Sequence, residues 1–231
     1  MKKQLYIVIN SSVGRVGNVG IRTSKIIDHM DNSKYTIFLF ARSSKYFKNL
    51  NFNIYEYLSR FLNFIRIYVY RGFNSSKLDN KIFVLLENII CRKKIIDGDF
   101  HSRIIHVWSS QLDIFYHYKR HGYKVVLDVP IATFLHAKSI ADETDYSIDL
   151  DQNLVEKERA ALCHSDVIVA PSIFVKNGII ENYQINEKKI IVVPFGVDYS
   201  KFYFERQFEN KIDGLTFIFT GALNVRKGLH T

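Results

Sequence analysis

Lys3-Gln4-Leu5-Tyr6-Ile7-Val8-Ile9-Asn10-Ser11-Ser12-Val13-Gly14-Arg15-Val16-Gly17-Asn18-Val19-Gly20 opens the chain. Leu5–Ile9 is a short unbroken apolar run, the pattern of a strand buried on both faces. Gly14, Gly17 and Gly20 follow, spaced by three, and then a helical pattern runs to about Met30 with Ile21, Ile26 and Ile27 expected to point inward. Tyr35–Ala41 reads as the next strand. Strand, glycine turn, helix and strand make a βαβ unit, which requires a parallel sheet.

The alternation resumes further along. Ile104–Val107 is expected as a strand, Gln111–His121 as a helix, and Lys124–Val129 as a strand stopped by Pro130. A long helix is expected over 149–164, a strand over Asp166–Ala170, and a helix opened by Pro171-Ser172, with Ser172 as its N-cap. Ile190–Val193 is a further strand, closed by Pro194-Phe195-Gly196. Residues 46–98 are rich in aromatic and basic side chains, with helices expected near 55–70 and 78–96. Residues 199–214 read as a polar linker, and Leu215–Thr220 as a new strand leading through Gly221 to a helix start at Lys227-Gly228. The fold class is therefore α/β, a Rossmann-like parallel sheet.

The chain has 231 residues and a net charge of +9. That length suits one large domain or two small ones, at about 100–200 residues each. The excess charge favours an anionic partner without choosing among phosphate ligands, lipid and nucleic acid. No helix-turn-helix, RNP or zinc pattern is present, so nucleic acid is not expected. Met1-Lys2-Lys3 resembles a signal-peptide start, but Leu5–Ile9 falls short of the roughly 7–15 apolar residues such a segment needs. Arg66 and Glu87 break the other apolar runs. A cytoplasmic protein is expected, peripheral to the inner face of the membrane at most. Cys91 and Cys163 show no C-x-x-C or zinc spacing and read as buried thiols. No His or Cys has metal-ligand spacing.

Three segments carry a resemblance. They are Glu158-Arg159-Ala160-Ala161-Leu162 with Ser165-Asp166-Val167-Ile168-Val169-Ala170-Pro171-Ser172, then Lys189–Asp198 with Phe202, then Phe219-Thr220-Gly221-Ala222-Leu223 leading to Lys227-Gly228. In this order and spacing they resemble the retaining GT-B glycosyltransferases of the family 4 type (glycosyl transferases group 1). Such enzymes have two Rossmann-like domains facing across a cleft. The resemblance implies an acceptor-side domain over 1–198, a linker over 199–214, and the first strand and helix start of a donor-binding domain over 215–231, truncated at Thr231. It implies transfer of a sugar from a nucleotide-diphosphate donor (a UDP- or GDP-sugar) to a glycan or lipid-linked acceptor, with retention, in cell-surface polysaccharide synthesis. No cofactor or metal is implied. The donor-domain glutamates of the family would follow Thr231, so residues 1–231 alone are expected to be inactive. The rival expectation is a non-catalytic, membrane-docking half of a split transferase.

Candidate site residues follow. Gly14, Arg15 and Gly17 lie between the first strand and helix, where a backbone can approach an anion and Arg15 adds a cation; a plain turn reads equally from the glycines alone. By the resemblance, Lys227 holds the donor diphosphate. Where the family carries an Arg after the strand-end glycine this chain has Ala222, and Arg226 is the cation available instead. Relatives often carry a catalytic His in the loop after the strand that here ends at Val129. Thr133 stands near that position, which leaves His136 or Asp128 as the catalytic candidates. His106 and Trp108 end a strand and point the same way, toward a sugar or acceptor; for Trp108 the core is the alternative. Asp142, Glu143, Asp145, Asp149 and Asp151 read as a solvated loop that favours a helix start. Tyr55, Leu58, Leu62, Ile65 and Val69, with Arg60, Arg66 and Arg71, fit either a core helix or an interfacial one at an anionic membrane surface.

Overall fold

The computed structural model describes residues 2–13, 18–44, 53–56, 103–108, 118–143, 148–197, 199–201 and 217–219. Seven strands form one sheet: β1 (Lys3–Val13), β2 (Tyr35–Ser44), β3 (Asn53–Glu56), β4 (Arg103–Val107), β5 (Lys124–Asp128), β6 (Val167–Ala170) and β7 (Ile190–Val192). Their order is β3-β2-β1-β4-β5-β6-β7, and every pair is parallel. Four helices are described in full: α1 (Asn18–Asp28), α2 (Phe134–Asp142), α3 (Gln152–His164) and α4 (Ile173–Tyr183).

The strand order reverses between β1 and β4. From β1 the chain steps outward to β2 and β3, then returns to the other side of β1 as β4. In open parallel sheets this reversal leaves a crevice at the carboxyl ends of the two strands, where ligands bind.

Strand alternation sorts the core into two layers. On one face Leu5, Ile7 and Ile9 join Ile37, Leu39, Ile27 of α1 and Trp108. On the other, Tyr6, Val8, Ile105, Val107, Val125 and Leu127 join Val155 and Leu162 of α3 and Val175 and Ile179 of α4. Ile7, Val8 and Ile9 are completely buried, and each such aliphatic side chain contributes about 1.5–3 kcal/mol by leaving water.

Local chemistry explains the boundaries. Ser172 caps α4 by accepting from the Val175 amide at 3.3 Å, and Asp151 caps α3 by accepting from the Asn153 amide at 3.0 Å. The turn before β5 needs Gly122 at φ 73°, where the Tyr123 amide bonds back to the Tyr118 carbonyl at 3.1 Å. At the opposite end of the sheet from the crevice, Asp166 accepts from the Val125 amide at 2.9 Å and from Lys119. Partial burial of Asp166 is outweighed by those two bonds, and its carboxyl is held below the usual range.

Several expectations change. Ile21 is exposed, and the inward face of α1 is built instead from Val19, Thr23, Ile26 and Ile27. Asn53–Glu56 pair with β2 as a strand, so no helix begins at 55; the free edge of β2 takes up this segment's backbone groups. The residues after Pro130 form helix α2, so His136 lies on a helix, and Asp142 is that helix's last residue. Cys163 is exposed, because the buried stripe of α3 runs through Val155, Glu158, Ala161 and Leu162. Phe217, Ile218 and Phe219 are exposed and form no strand, because apolar residues need a pairing neighbour before they make one. Of the helix expected over 111–121, residues 118–120 are helical; its remainder, the rest of the segment expected as a helix near 55–70, the helix near 78–96, Cys91 and most of 199–231 lie outside the described residues.

The chain divides into two units, Met1–Gly196 and Val197–Thr231, and the whole sheet belongs to the first. Within the second, Tyr199–Lys201 makes one 3-10 turn. No helix among the described residues is long and apolar enough to cross a membrane.

Helices α2 and α4 meet where Gly178 faces His136. A Cβ at 178 would stand 1.7 Å from His136 Nδ1. Gly178→Ala is therefore expected to destabilise the protein by about 1–3 kcal/mol. Urea titration should show this loss shrinking when His136→Ala is added, because the smaller side chain vacates the space.

Candidate functional site

Face alternation brings three candidates together. His106 on β4, Trp108 just beyond it, and Asp128 at the end of β5 all stand on the α1 face of the sheet, near the reversal. The Trp108 amide continues the ladder by donating to the Val8 carbonyl at 3.1 Å, which fixes the indole beside β1. The rings of His106 and Trp108 stack with centroids 5.4 Å apart.

Asp128 is the electrostatic centre. Its side chain is 1% exposed. Two cation-forming groups face its Oδ2: Arg22 Nη2 at 3.5 Å and His106 Nε2 at 3.3 Å. A carboxylate so far from water needs such partners, since the desolvation cost is several kcal/mol per ion. Yet neither approach has hydrogen-bond geometry. Both Asp128 oxygens, His106 Nε2, Trp108 Nε1 and Arg22 Nη1 are buried with no hydrogen-bond partner. Buried polar atoms are normally satisfied, so a group of them at one strand-end crevice calls for an explanation, and a polar ligand supplies one.

Arg22 was not among the sequence candidates. It sits on the inward stripe of α1, one turn from Val19 and from Ile26, where an apolar residue is the usual choice. Its guanidinium lies 5.4 Å from the Trp108 ring centroid and 4.7 Å from that of Phe195. Phe195 arrives from the segment after β7, where the Val193 amide donates to the Ala170 carbonyl at 2.8 Å. A charge at position 22 within an apolar helical stripe was the available signal.

His136 is elsewhere. It is buried between α2 and α4, with its ring 4.4 Å from that of Phe174, and it makes no hydrogen bond, ion pair or ring contact with Asp128, His106 or Arg22. Thr133 is buried at the start of α2. Gly14, Arg15, Gly17, Arg226 and Lys227 lie outside the described residues. Among the described residues no group of His, Cys, Asp or Glu is arranged to hold a metal ion.

The loop from Asp128 to α2 is held by a long-range cap. Thr133, the N-cap residue, makes no side-chain capping bond. Glu158 of α3 takes that role: its Oε2 accepts from the Phe134 amide at 2.8 Å and from the Tyr183 hydroxyl. The Leu135 amide donates to the same Tyr183 oxygen at 3.4 Å, and Arg159 lies 5.2 Å from the Tyr183 ring centroid. Burial pushes the Glu158 carboxyl up against the pull of these two donors, and burial with the Glu158 bond raises the Tyr183 hydroxyl well above its ordinary value.

A parallel sheet wound to both sides of β1, with buried polar side chains near its strand reversal, is a Rossmann-like fold of the GT-B kind. Residues 81–201 match the model of Glycosyltransferase Family 4, and the chain belongs to that family. Among solved structures it is similar to TcCGT1 in complex with UDP, with a TM-score of 0.55 and 11% identity, over 85% of this chain and 51% of that one. It is also similar to UDP-GlcNAc 2-epimerase from Methanocaldococcus jannaschii, with a TM-score of 0.42 and 14% identity, over 82% of this chain and 45% of that one. The chain thus spans about half the length of these structures. No curated protein matches it.

The Glu158 cap carries a pH signature. Its raised folded-state value means that the native protein keeps a proton which the unfolded chain releases above the ordinary value of 4.5. Stability from this group is therefore lost as pH rises through that window. The stability of the unmodified protein minus that of Glu158→Gln should fall as pH rises above about 4.5, read from urea midpoints; a difference that stays flat or grows contradicts this.

Proposed function

We propose that the crevice at the ends of β1, β4 and β5 is the acceptor side of a sugar-transfer site. The observation that carries this reading is the group of buried, unpartnered polar atoms on Arg22, His106, Trp108 and Asp128 at the sheet's reversal. Hydroxyl groups of a sugar both donate and accept, so they suit a site that offers carboxylate oxygens beside indole and guanidinium N–H groups. Membership of a glycosyltransferase family supports the reaction class.

In this reading His106 and Trp108 contact the acceptor, and Asp128 lies 3.3 Å from His106 Nε2. Of the two catalytic candidates, Asp128 belongs to this group, while His136 packs between α2 and α4. The donor is a nucleotide-diphosphate sugar, in keeping with UDP in the TcCGT1 structure. Gly14, Arg15 and Gly17 are candidates for its phosphates, as are Arg226 and Lys227 of a donor-binding region that begins near 215, after a linker over 199–214. Charge building on the departing diphosphate is met by these cations and backbone amides. The sugar passes to a hydroxyl of a glycan or lipid-linked acceptor with retained anomeric configuration, as part of cell-surface polysaccharide synthesis.

The test is a screen of UDP- and GDP-sugars, using the full product of the reading frame with glycan and lipid-linked acceptors. Acceptor-dependent release of nucleoside diphosphate is expected, with the anomeric configuration retained by NMR. His106→Ala should lower the rate about 100-fold. Absence of any transfer or hydrolysis, together with no affinity for UDP or GDP, would sink the proposal.

A further inference from the structure

Two groups face the buried Asp128, and they differ in kind. Arg22 carries a permanent charge, whereas His106 is charged only when protonated. Which of them meets the carboxylate's charge decides what His106 can do. A protonated imidazole only donates. A neutral one with its proton on Nε2, toward Asp128, leaves a lone pair on Nδ1 for a substrate hydroxyl.

The geometry favours Arg22 in this role. Its guanidinium is held between the Trp108 and Phe195 rings, 5.4 and 4.7 Å from their centroids. A flat cation between two aromatic faces keeps its charge at little desolvation cost and has few orientations open to it. Ile7 on β1 and Val126 on β5 stand beside His106 in register, and Val169 on β6 stands beside Asp128. Among the described residues the charged or titratable groups facing one another here are thus Arg22 from α1, His106 from β4 and Asp128 from β5.

We infer that Arg22 is a positioning residue: it balances the charge of Asp128 so that His106 stands as a neutral hydrogen-bond acceptor toward a substrate hydroxyl. This rests on the sugar-transfer reading for the identity of the hydroxyl. The charge arrangement itself is measured without any substrate.

Trp108 is the reporter. It is the single Trp of the chain, and His106 stacks on it. A protonated imidazole in contact with an indole quenches its fluorescence, so Trp108 emission followed against pH reads the charge of His106. The experiment compares the unmodified chain with Arg22→Met, Arg22→Lys and His106→Gln, each checked for folding by far-ultraviolet circular dichroism. In Arg22→Met only His106 is left to balance Asp128, and the quenching midpoint should rise by about one pH unit or more. In Arg22→Lys the charge is kept and the midpoint should stay near that of the unmodified chain. Acrylamide should then reach Trp108 more readily, because an ammonium does not stack between two rings. His106→Gln should abolish the pH-dependent quenching.

An unchanged midpoint in Arg22→Met, or quenching that survives His106→Gln, overturns the inference. If Arg22→Met does not fold, Arg22→Gln takes its place with the same two outcomes. No nucleotide sugar enters the experiment, so a failure here leaves the transferase proposal standing. A failed donor screen likewise leaves this result intact.

Discussion

A carboxylate at the end of a buried parallel strand, almost wholly out of water, keeps its charge only where cations stand beside it. Asp128 imposes that condition on this fold. To meet it, α1 carries an arginine on its inward stripe, and β4 sets His106 on the same face, 3.3 Å from the carboxylate. The aromatic rings of Trp108 and Phe195 then keep the guanidinium in place. One charge thereby draws together α1, β4, β5 and the segment after β7, elements far apart in the chain. They meet because the strand order reverses at β1 and β4, which opens a crevice at those carboxyl ends.

The residues that carry the family resemblance do a different job. Glu158 caps α2 from a neighbouring helix, through the Phe134 amide and the Tyr183 hydroxyl. Ser165 donates to the Ala161 carbonyl at 2.7 Å, and Asp166 ties the start of β5 to that of β6. These contacts set the height and angle of the strands and fix the start of α2 after Asp128. A family signature concentrated in this region thus marks the frame that aims the crevice as much as the crevice itself.

How much of this was legible follows from the range of each interaction. The apolar runs of β1, β2 and β4 to β6 announce themselves, because a strand in the middle of a sheet needs little beyond its own residues; β7 is read from the same kind of run, although Ile191 and Val192 are exposed. The caps at Ser172 and Asp151 read directly, since cap and amide lie two or three residues apart. Helix α2 was invisible because its first amide is satisfied by Glu158, 24 residues away, and Thr133 offers no local capping bond. Of the candidate site, His106 and Trp108 were read from a strand end, while Asp128 came in through the resemblance, as an alternative to His136. Arg22 was missed because an arginine on a helix usually faces water, and only the path of the chain after β7 brings Phe195 onto it. His136 looked like a loop residue until Gly178 showed the notch that holds it.

Arg22 and Asp128 stand as one buried charge unit, and that dependence is open to measurement. It is tested most directly by a double-mutant cycle of Arg22→Met and Asp128→Asn, read as unfolding free energies in urea. Each single change strands a charged group in the interior, and the double change removes both charges. A coupling of at least about 1 kcal/mol is expected, with the double mutant no less stable than the weaker single mutant. Losses that simply add, within about 0.5 kcal/mol, would show that the two groups stand near each other without depending on each other.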